Sequence, residues 1–416
     1  MVSVDIEVRY AALEGLQADV LWEAAKEMGF PAALWKLPHH KDVRLLISTS
    51  HTGYHCQPEI EKLSSGFMLS PFEWQAEQEV LFMTGDIIIT FSESGSQVSV
   101  VNNLGEEHPV FRKIVSAAKA IQSGGHLQLR HTSVSSLEPI LYNDTKTRFE
   151  RTVELAVAAI KQGQFDKVVL SRTKELTYSE DFQPARSFYN LAKAYPHAFV
   201  SLVNLPEKRE LWLGASPETL IEQKRDGTFR TMSLAGTQSA HEKQGSLIPR
   251  YDVRWGQKEI EEQALVSRYI VECFKKIRLR EYRETGPKTV LAGNLYHLRT
   301  DFEVDTTALN FPELASVMLR LLHPTSAVCG VPKEPSLKFI TGIEGYDRSF
   351  YSGFLGPVQV DGETHLYVNL RTVRLKDGKA TFFAGAGITE DSSPEREWDE
   401  TELKCETLLK IIGQDF

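Results

Sequence analysis

The sequence predicts an α+β body: one large fold with an internal duplication. Two observations carry this reading. Several strand-like segments followed by a helix occur twice along the chain. Strands and helices do not alternate one for one, as a dinucleotide-binding α/β fold would require. The length of 416 residues would hold two or three average domains or one large one, and a content of 42% hydrophobic and 25% charged residues is ordinary for a globular chain. There is no short-period repeat and no low-complexity tract.

Taken in order, Asp19–Met28 has the spacing of an amphipathic helix, and Val43–Ile47 and Asp86–Phe91 read as strands. The run Gly66–Phe72 is apolar and ends in a turn. The charged residues of this first part read as solvated faces. Paired glycines in Ser123-Gly124-Gly125-His126 mark a boundary, dividing residues 1–135 from residues 136–416. Beyond it, Thr145–Gln162 reads as a helix, Phe165–Leu176 as a strand with Lys167 at its entrance, and Ser187–Ala194 as a helix. Ala198–Val203 and Glu210–Gly214 read as paired strands, and Phe229–Ser233 extends towards Leu234-Ala235-Gly236-Thr237. Residues 238–252 are polar and read as a mobile loop; Gly256–Ile277 reads as a long helix. Tyr296-His297-Leu298 falls in a further strand and loop, and Phe311–Leu322 reads as a helix. Gly356–Val360, His365–Leu375 and Ala380–Phe383 read as strands.

The chain's most telling stretch is its last, Phe382–Ile412. An apolar strand runs into Gly385-Ala386-Gly387, and a short polar loop then leads into a helix that Ser392 or Ser393 can cap, with Pro394 suited to its first turn. Glu397 and Glu400, three apart, share one helical face. Glycines leave backbone N–H groups open to an anion, and paired carboxylates suit a hard cation. Together they describe a site for an anionic small molecule bridged by a metal, although surface helices rich in Glu after a Gly-x-Gly turn are also common.

Net charge is −9, with no long basic run or basic–aromatic interleaving, which argues against a nucleic-acid partner. An anionic substrate then needs local positive groups or a metal. Four scattered cysteines, Cys56, Cys273, Cys329 and Cys405, suit free thiols in a reducing compartment. No basic-then-apolar leader and no membrane-length apolar window is present, so a cytoplasmic location is expected. The absence of a heptad run or exposed apolar stripe points to a monomer.

Five segments, in this order, resemble the motifs of the chorismate-utilising enzymes: Phe165–Arg172, Gly214–Glu218, Leu234–Thr237, His323–Gly330 and Gly385–Thr401. The resemblance covers roughly residues 140–412, and the first 135 residues look like the divergent N-terminal part of the same fold. It implies an aminodeoxychorismate synthase-like architecture, with two β-sheets sandwiched together and flanked by helices. It also implies Mg²⁺-dependent attack on chorismate. Within the family the chain most resembles the isochorismate synthases of menaquinone biosynthesis. Lysine at 167 and alanine at 235 are similar to the water-using branch, which needs no glutamine amidotransferase. That branch comprises isochorismate synthases and salicylate synthases, the latter going on to eliminate pyruvate; a catalytically silent chorismate binder is the alternative outside catalysis.

The resemblance assigns roles residue by residue. Lys167 matches the general base and Glu218 the general acid. Glu262 and Glu400 match metal ligands, with Glu397 as a ligand or a water-mediated partner. Glu259 and Glu261 read as charges at a helix start. Arg371 matches the grip on the enolpyruvyl carboxylate, helped by the backbone around Gly385 and Gly387, and Lys404 lies near the substrate carboxylates. Gly236 and Thr237 match the loop beside the ring hydroxyl, and Ala327 and Val328 the ring lining. His297 matches an active-site histidine, or else is a satisfied core residue; Tyr351 lines the ring or only packs. Two positions depart from the pattern: Gln263 stands for a common histidine, and Ser233 for a common proline.

Overall fold

The computed structural model describes residues 10–74, 78–124, 142–179, 181–240, 242, 246–292 and 295–413, with only the backbone described at 142–144. The expected division near residue 135, the Gly125-His126 pair, and residues 241 and 243–245 of the polar loop lie outside the described residues.

The described strands form two sheets, and every pairing between them is antiparallel. The first sheet runs Gly330–Val331, Lys167–Thr177, Lys379–Ile388, Thr372–Lys376, Glu210–Ser216, Phe199–Leu205, Ala32–Lys36, Val43–Ile47, Ile87–Phe91, Gln97–Asn102. The second runs Arg283–Ala292, Leu295–Asp305, Thr228–Ser239, Thr219–Gln223, Thr364–Val368, Phe354–Val358, Gly66–Ser70, Val80–Thr84, Tyr54–Cys56. Both sheets therefore mix strands from the beginning and the end of the chain.

The sheets face each other across an apolar layer in which Trp35 and Leu46 of the first meet Phe67 and Met83 of the second. Helices Ala18–Glu27, Pro109–Gln122, Pro184–Ala194 and Pro394–Ile412 cover the outer face of the first sheet through residues such as Trp22, Phe111, Phe188 and Leu408. Helices Gln257–Lys276 and Leu314–Leu322 supply Ile270 and Leu319 to the core on the second sheet, and Tyr142–Lys161 adds Phe149 to the same core from against Lys167–Thr177 and Lys379–Ile388 of the first. Strands buried on both faces need not alternate. This explains why Ala-Ala-Leu-Trp-Lys at 32–36, buried throughout, carries no strand signal.

One expectation is corrected. The apolar run His365–Leu375 is not a single strand: Thr364–Val368 belongs to the second sheet and Thr372–Lys376 to the first. Between them Arg371 takes a left-handed φ of 48°, and the Asn369 amide donates to the Phe350 carbonyl at 2.9 Å. Periodicity cannot register such a corner, because both halves remain apolar. A second crossing lies beside it. Glu210–Ser216 of the first sheet passes through Pro217-Glu218 into Thr219–Gln223 of the second. The corners are stitched together: the Val368 N–H donates to the Glu218 carbonyl, and the Ala215 N–H to the Arg371 carbonyl, each at 3.0 Å.

Candidate active site

Beside these corners opens a cleft of about 640 Å³, part of it open to solvent. Its wall includes Glu218, Gly236, Thr237, Glu262, His297 and Arg371, together with Ala327, Val328, Gly385, Gly387 and Lys404. Tyr351 is on the wall and also stacks on Phe383 with ring centroids 5.1 Å apart, so it both lines and packs.

Lys167 begins the strand Lys167–Thr177 and is fully buried. Its ammonium lies 2.9 Å from Oε1 of Glu262, carried by the helix Gln257–Lys276. The neighbouring strand contributes Gly387 between them. A Cβ there would sit against the Glu262 carboxylate and 3.1 Å from Cε of Lys167, so the missing side chain makes this contact possible. Glu218 is 3% exposed, and Thr325 Oγ1 lies 3.5 Å from its carboxylate. Burial drives its pKa up to about 8 against the opposing pull of Lys167, Thr325 and Lys404. Glu218 is thus a carboxylic acid near neutral pH.

On the other side His297 Nδ1 lies 2.8 Å from the Gly236 carbonyl, and Nε2 lies 3.3 Å from Nη2 of Arg371. A carbonyl only accepts and a guanidinium only donates, so the ring is neutral with its proton on Nδ1. Burial, Arg371 and Lys404 agree with this, holding the imidazole pKa down to about 3. Arg371 also donates to Thr407 Oγ1 at 3.0 Å. Among the described residues no carboxylate is within ion-pair distance of this buried guanidinium. A buried charge lacking a counter-ion is costly, so the arrangement suits an incoming carboxylate.

The helix Pro394–Ile412 brings its acidic residues to the same end of the cleft. Lys404 donates to Glu400 Oε1 at 2.7 Å and to the Gly385 carbonyl at 2.8 Å. Glu397 is 1% exposed and accepts from Lys258 at 2.5 Å, while its Oε2 is buried with no hydrogen-bond partner. Glu397 and Glu400 are not on the cleft wall itself. Among the described residues no three acidic, His or Cys side chains are close enough to cage an ion. The donors nevertheless fit Mg²⁺ in kind. This ion takes one or two carboxylates with waters and substrate oxygens rather than a full protein cage, and Glu397 Oε2 is an orphaned hard donor. Glu259 instead accepts from the Gly256 N–H at its own helix start, and Glu261 accepts from Gln257.

The structure adds residues that motif reading passed over. Arg348 donates to Glu344 at 2.5 Å and 2.7 Å, and to the carbonyls of Val328 and Val169, both residues of the cleft wall. Glu344 accepts in turn from the N–H of Ser171 at 2.7 Å. Arg348 lies beyond the helix Lys333–Ile343, whose C-cap is Glu344, so no helical spacing signalled the pair. The two departures prove to be neighbours: Gln263 Nε2 donates to Ser233 Oγ at 2.8 Å and to Thr300 Oγ1 at 3.1 Å.

Residues 66–413 match the family described as chorismate binding enzyme. The isochorismate synthase EntC of Escherichia coli K12 is 32% identical over 272 residues, 64% of this chain and 68% of that protein. The isochorismate synthase MenF of Bacillus subtilis is 26% identical over 364 residues, 84% of this chain and 74% of that protein. The crystal structure of the menaquinone-specific isochorismate synthase MenF from Escherichia coli superposes with a TM-score of 0.70 at 20% identity, covering 98% of this chain and 94% of that one, a likeness of fold. Among the described residues no helix is long and apolar enough to cross a membrane. With the two-sheet fold, the cleft and the family match in agreement, the chain belongs to the chorismate-binding enzyme family.

Proposed function

We propose that this chain is an isochorismate synthase, interconverting chorismate and isochorismate. Water adds at C2 of the ring and the C4 hydroxyl departs as water, so atoms balance without ammonia or an amidotransferase subunit. The observation that carries the reading is Glu218, a buried carboxyl that keeps its proton to about pH 8 within electrostatic reach of Lys167.

Glu218 would give its proton to the departing C4 oxygen, and Lys167 would take one from the attacking water. Glu262, 2.9 Å from Lys167, would hold that amine in place for the transfer. Arg371, oriented by His297 and Thr407, would hold the enolpyruvyl carboxylate, with Lys404 near the second one. Glu262, Glu397 and Glu400 would hold Mg²⁺, which supplies a counter-charge for the ring carboxylate. Ala327 and Val328 would pack against the ring, and Gly236 and Thr237 would face its hydroxyl. We propose menaquinone formation as its pathway and a cytoplasmic monomer as its state; the alignment with MenF of Bacillus subtilis, which spans 84% of the chain against 64% for EntC, supports the pathway.

The test is a product assay on purified protein with chorismate and Mg²⁺, without ammonia, read by chromatography and mass spectrometry. An isomer of equal mass, abolished by EDTA, is the expected outcome. Salicylate with pyruvate would reassign the chain to salicylate synthesis. Bound but unchanged chorismate would refute catalysis.

A further inference from the structure

Three lysines meet the three glutamates at the acidic end of the cleft: Lys167 on Glu262, Lys404 on Glu400, and Lys258 on Glu397. The proposed reaction gives Lys167 and Lys404 work to do. It gives Lys258 none, and local preference opposes its position. Lys258 is in the first turn of Gln257–Lys276, where the helix dipole disfavours a cation.

Its surroundings explain its presence. Lys258 donates to Glu397 Oε1 at 2.5 Å, and the Glu397 side chain is 1% exposed. The Lys258 side chain is itself partly exposed, so the ammonium stands at the solvent side of an otherwise buried carboxylate. One ammonium therefore occupies Oε1 of Glu397, a carboxylate that would serve a divalent ion, while Glu397 Oε2 has no partner.

We propose that Lys258 is a built-in placeholder cation, occupying the electrostatic position of the metal and giving up Glu397 when the ion enters. The inference rests on the metal-dependent reading above. Its physical content is competition. Without Lys258 the Glu397 side chain is a buried carboxylate with no cation against it, and the chain is less stable but binds a divalent cation more tightly. With Lys258, metal entry costs the rupture of a half-buried ion pair, so apparent affinity is lower and the empty site is kept from collapsing or trapping stray cations.

The experiment is calorimetric titration of the full-length protein with MgCl2, and with MnCl2 followed by electron paramagnetic resonance, both without chorismate. Lys258→Gln removes the charge but keeps a donor for Glu397; Lys258→Arg keeps the charge. The Gln variant is expected to bind either ion on the order of tenfold more tightly than the parent, with a larger metal-induced rise in Tm. The Arg variant is expected to stay near the parent. Equal or weaker binding by a folded Gln variant, checked by circular dichroism, would overturn the placeholder role and make Lys258 a residue that positions Glu397. Tightening by the Arg variant to the same degree would also overturn it, since charge would then be irrelevant. Absence of binding in all three proteins, even with chorismate added, would instead refute the metal site on which the inference rests.

Discussion

Replacing Glu218 by Gln should abolish turnover and yet stabilise the protein at alkaline pH. The wild-type carboxyl has a pKa of about 8 against an ordinary 4.5. An unfolded chain releases this proton above 4.5, whereas the native chain keeps it to about 8. The unfolded state thus binds fewer protons in that window, and stability falls as pH rises through it. The full penalty is present above the native value and absent below 4.5. At 1.36 kcal/mol per unit, the shift corresponds to roughly 5 kcal/mol at most, and relaxation around an ionised group will reduce it. Glutamine has the same shape and never ionises, so it escapes this term at every pH. Any misfit of its amide contributes equally at all pH values and cancels in the comparison. Urea denaturation at pH 5 and pH 8.5 is the assay. The difference in unfolding free energy, variant minus wild type, should grow by about 2–5 kcal/mol between the two. A difference independent of pH would falsify the buried-acid assignment, as would retained turnover in the variant. In the wild type, kcat should decline above about pH 8 as Glu218 ionises.

Lys167→Ala should lower kcat by roughly 10²- to 10⁴-fold while chorismate still binds, measured by steady-state kinetics and equilibrium dialysis; intact turnover would remove it as the base. Arg371→Gln should raise KM roughly tenfold to a hundredfold, because a charge-assisted contact to a carboxylate is lost; an unchanged KM would mean that the guanidinium does not meet substrate. Gly387→Ala places a methyl against the Glu262 carboxylate and should reduce kcat at least about tenfold with little loss of Tm. If kcat survives, the Lys167–Glu262 contact is not needed in that form.

The motif residues were legible in the sequence because chemistry constrains them locally: a Lys entering a strand, Glu after Pro217, glycines before a helix. What those residues do to one another was not legible. Glu218 is an acid because of its depth at the corner between the two sheets, a depth that outweighs the opposing contact from Thr325, distant in the chain. Arg371 reads as mid-strand by periodicity, yet it stands at a corner with φ of 48°. Lys258 carries no motif and stands out only once Glu397, 139 positions away, is seen to accept from it. The two departures, Gln263 and Ser233, look independent on paper and are hydrogen-bonded in space. Their contact also turns the Gln263 amide towards Ser233 and Thr300, so its bearing on Glu262 runs through the helix rather than through the amide.

The paired corners also bear on how the molecule comes into being. Strand Phe199–Leu205, beside the Glu218 corner, needs Ala32–Lys36 as its neighbour, and Phe354–Val358, beside the Arg371 corner, needs Gly66–Ser70. The strand Lys167–Thr177 waits for Lys379–Ile388, some two hundred residues later in synthesis. A nascent chain therefore carries open strand edges until its last segments emerge, and such non-local closure is slow and prone to edge-to-edge association. The acid and the arginine meet only when the first and last portions of the chain have found each other. Assembly of the cleft thus coincides with completion of both sheets, and a polypeptide begun at residue 136 would present the edges of Phe199–Leu205 and Phe354–Val358 to its neighbours in place of a finished enzyme.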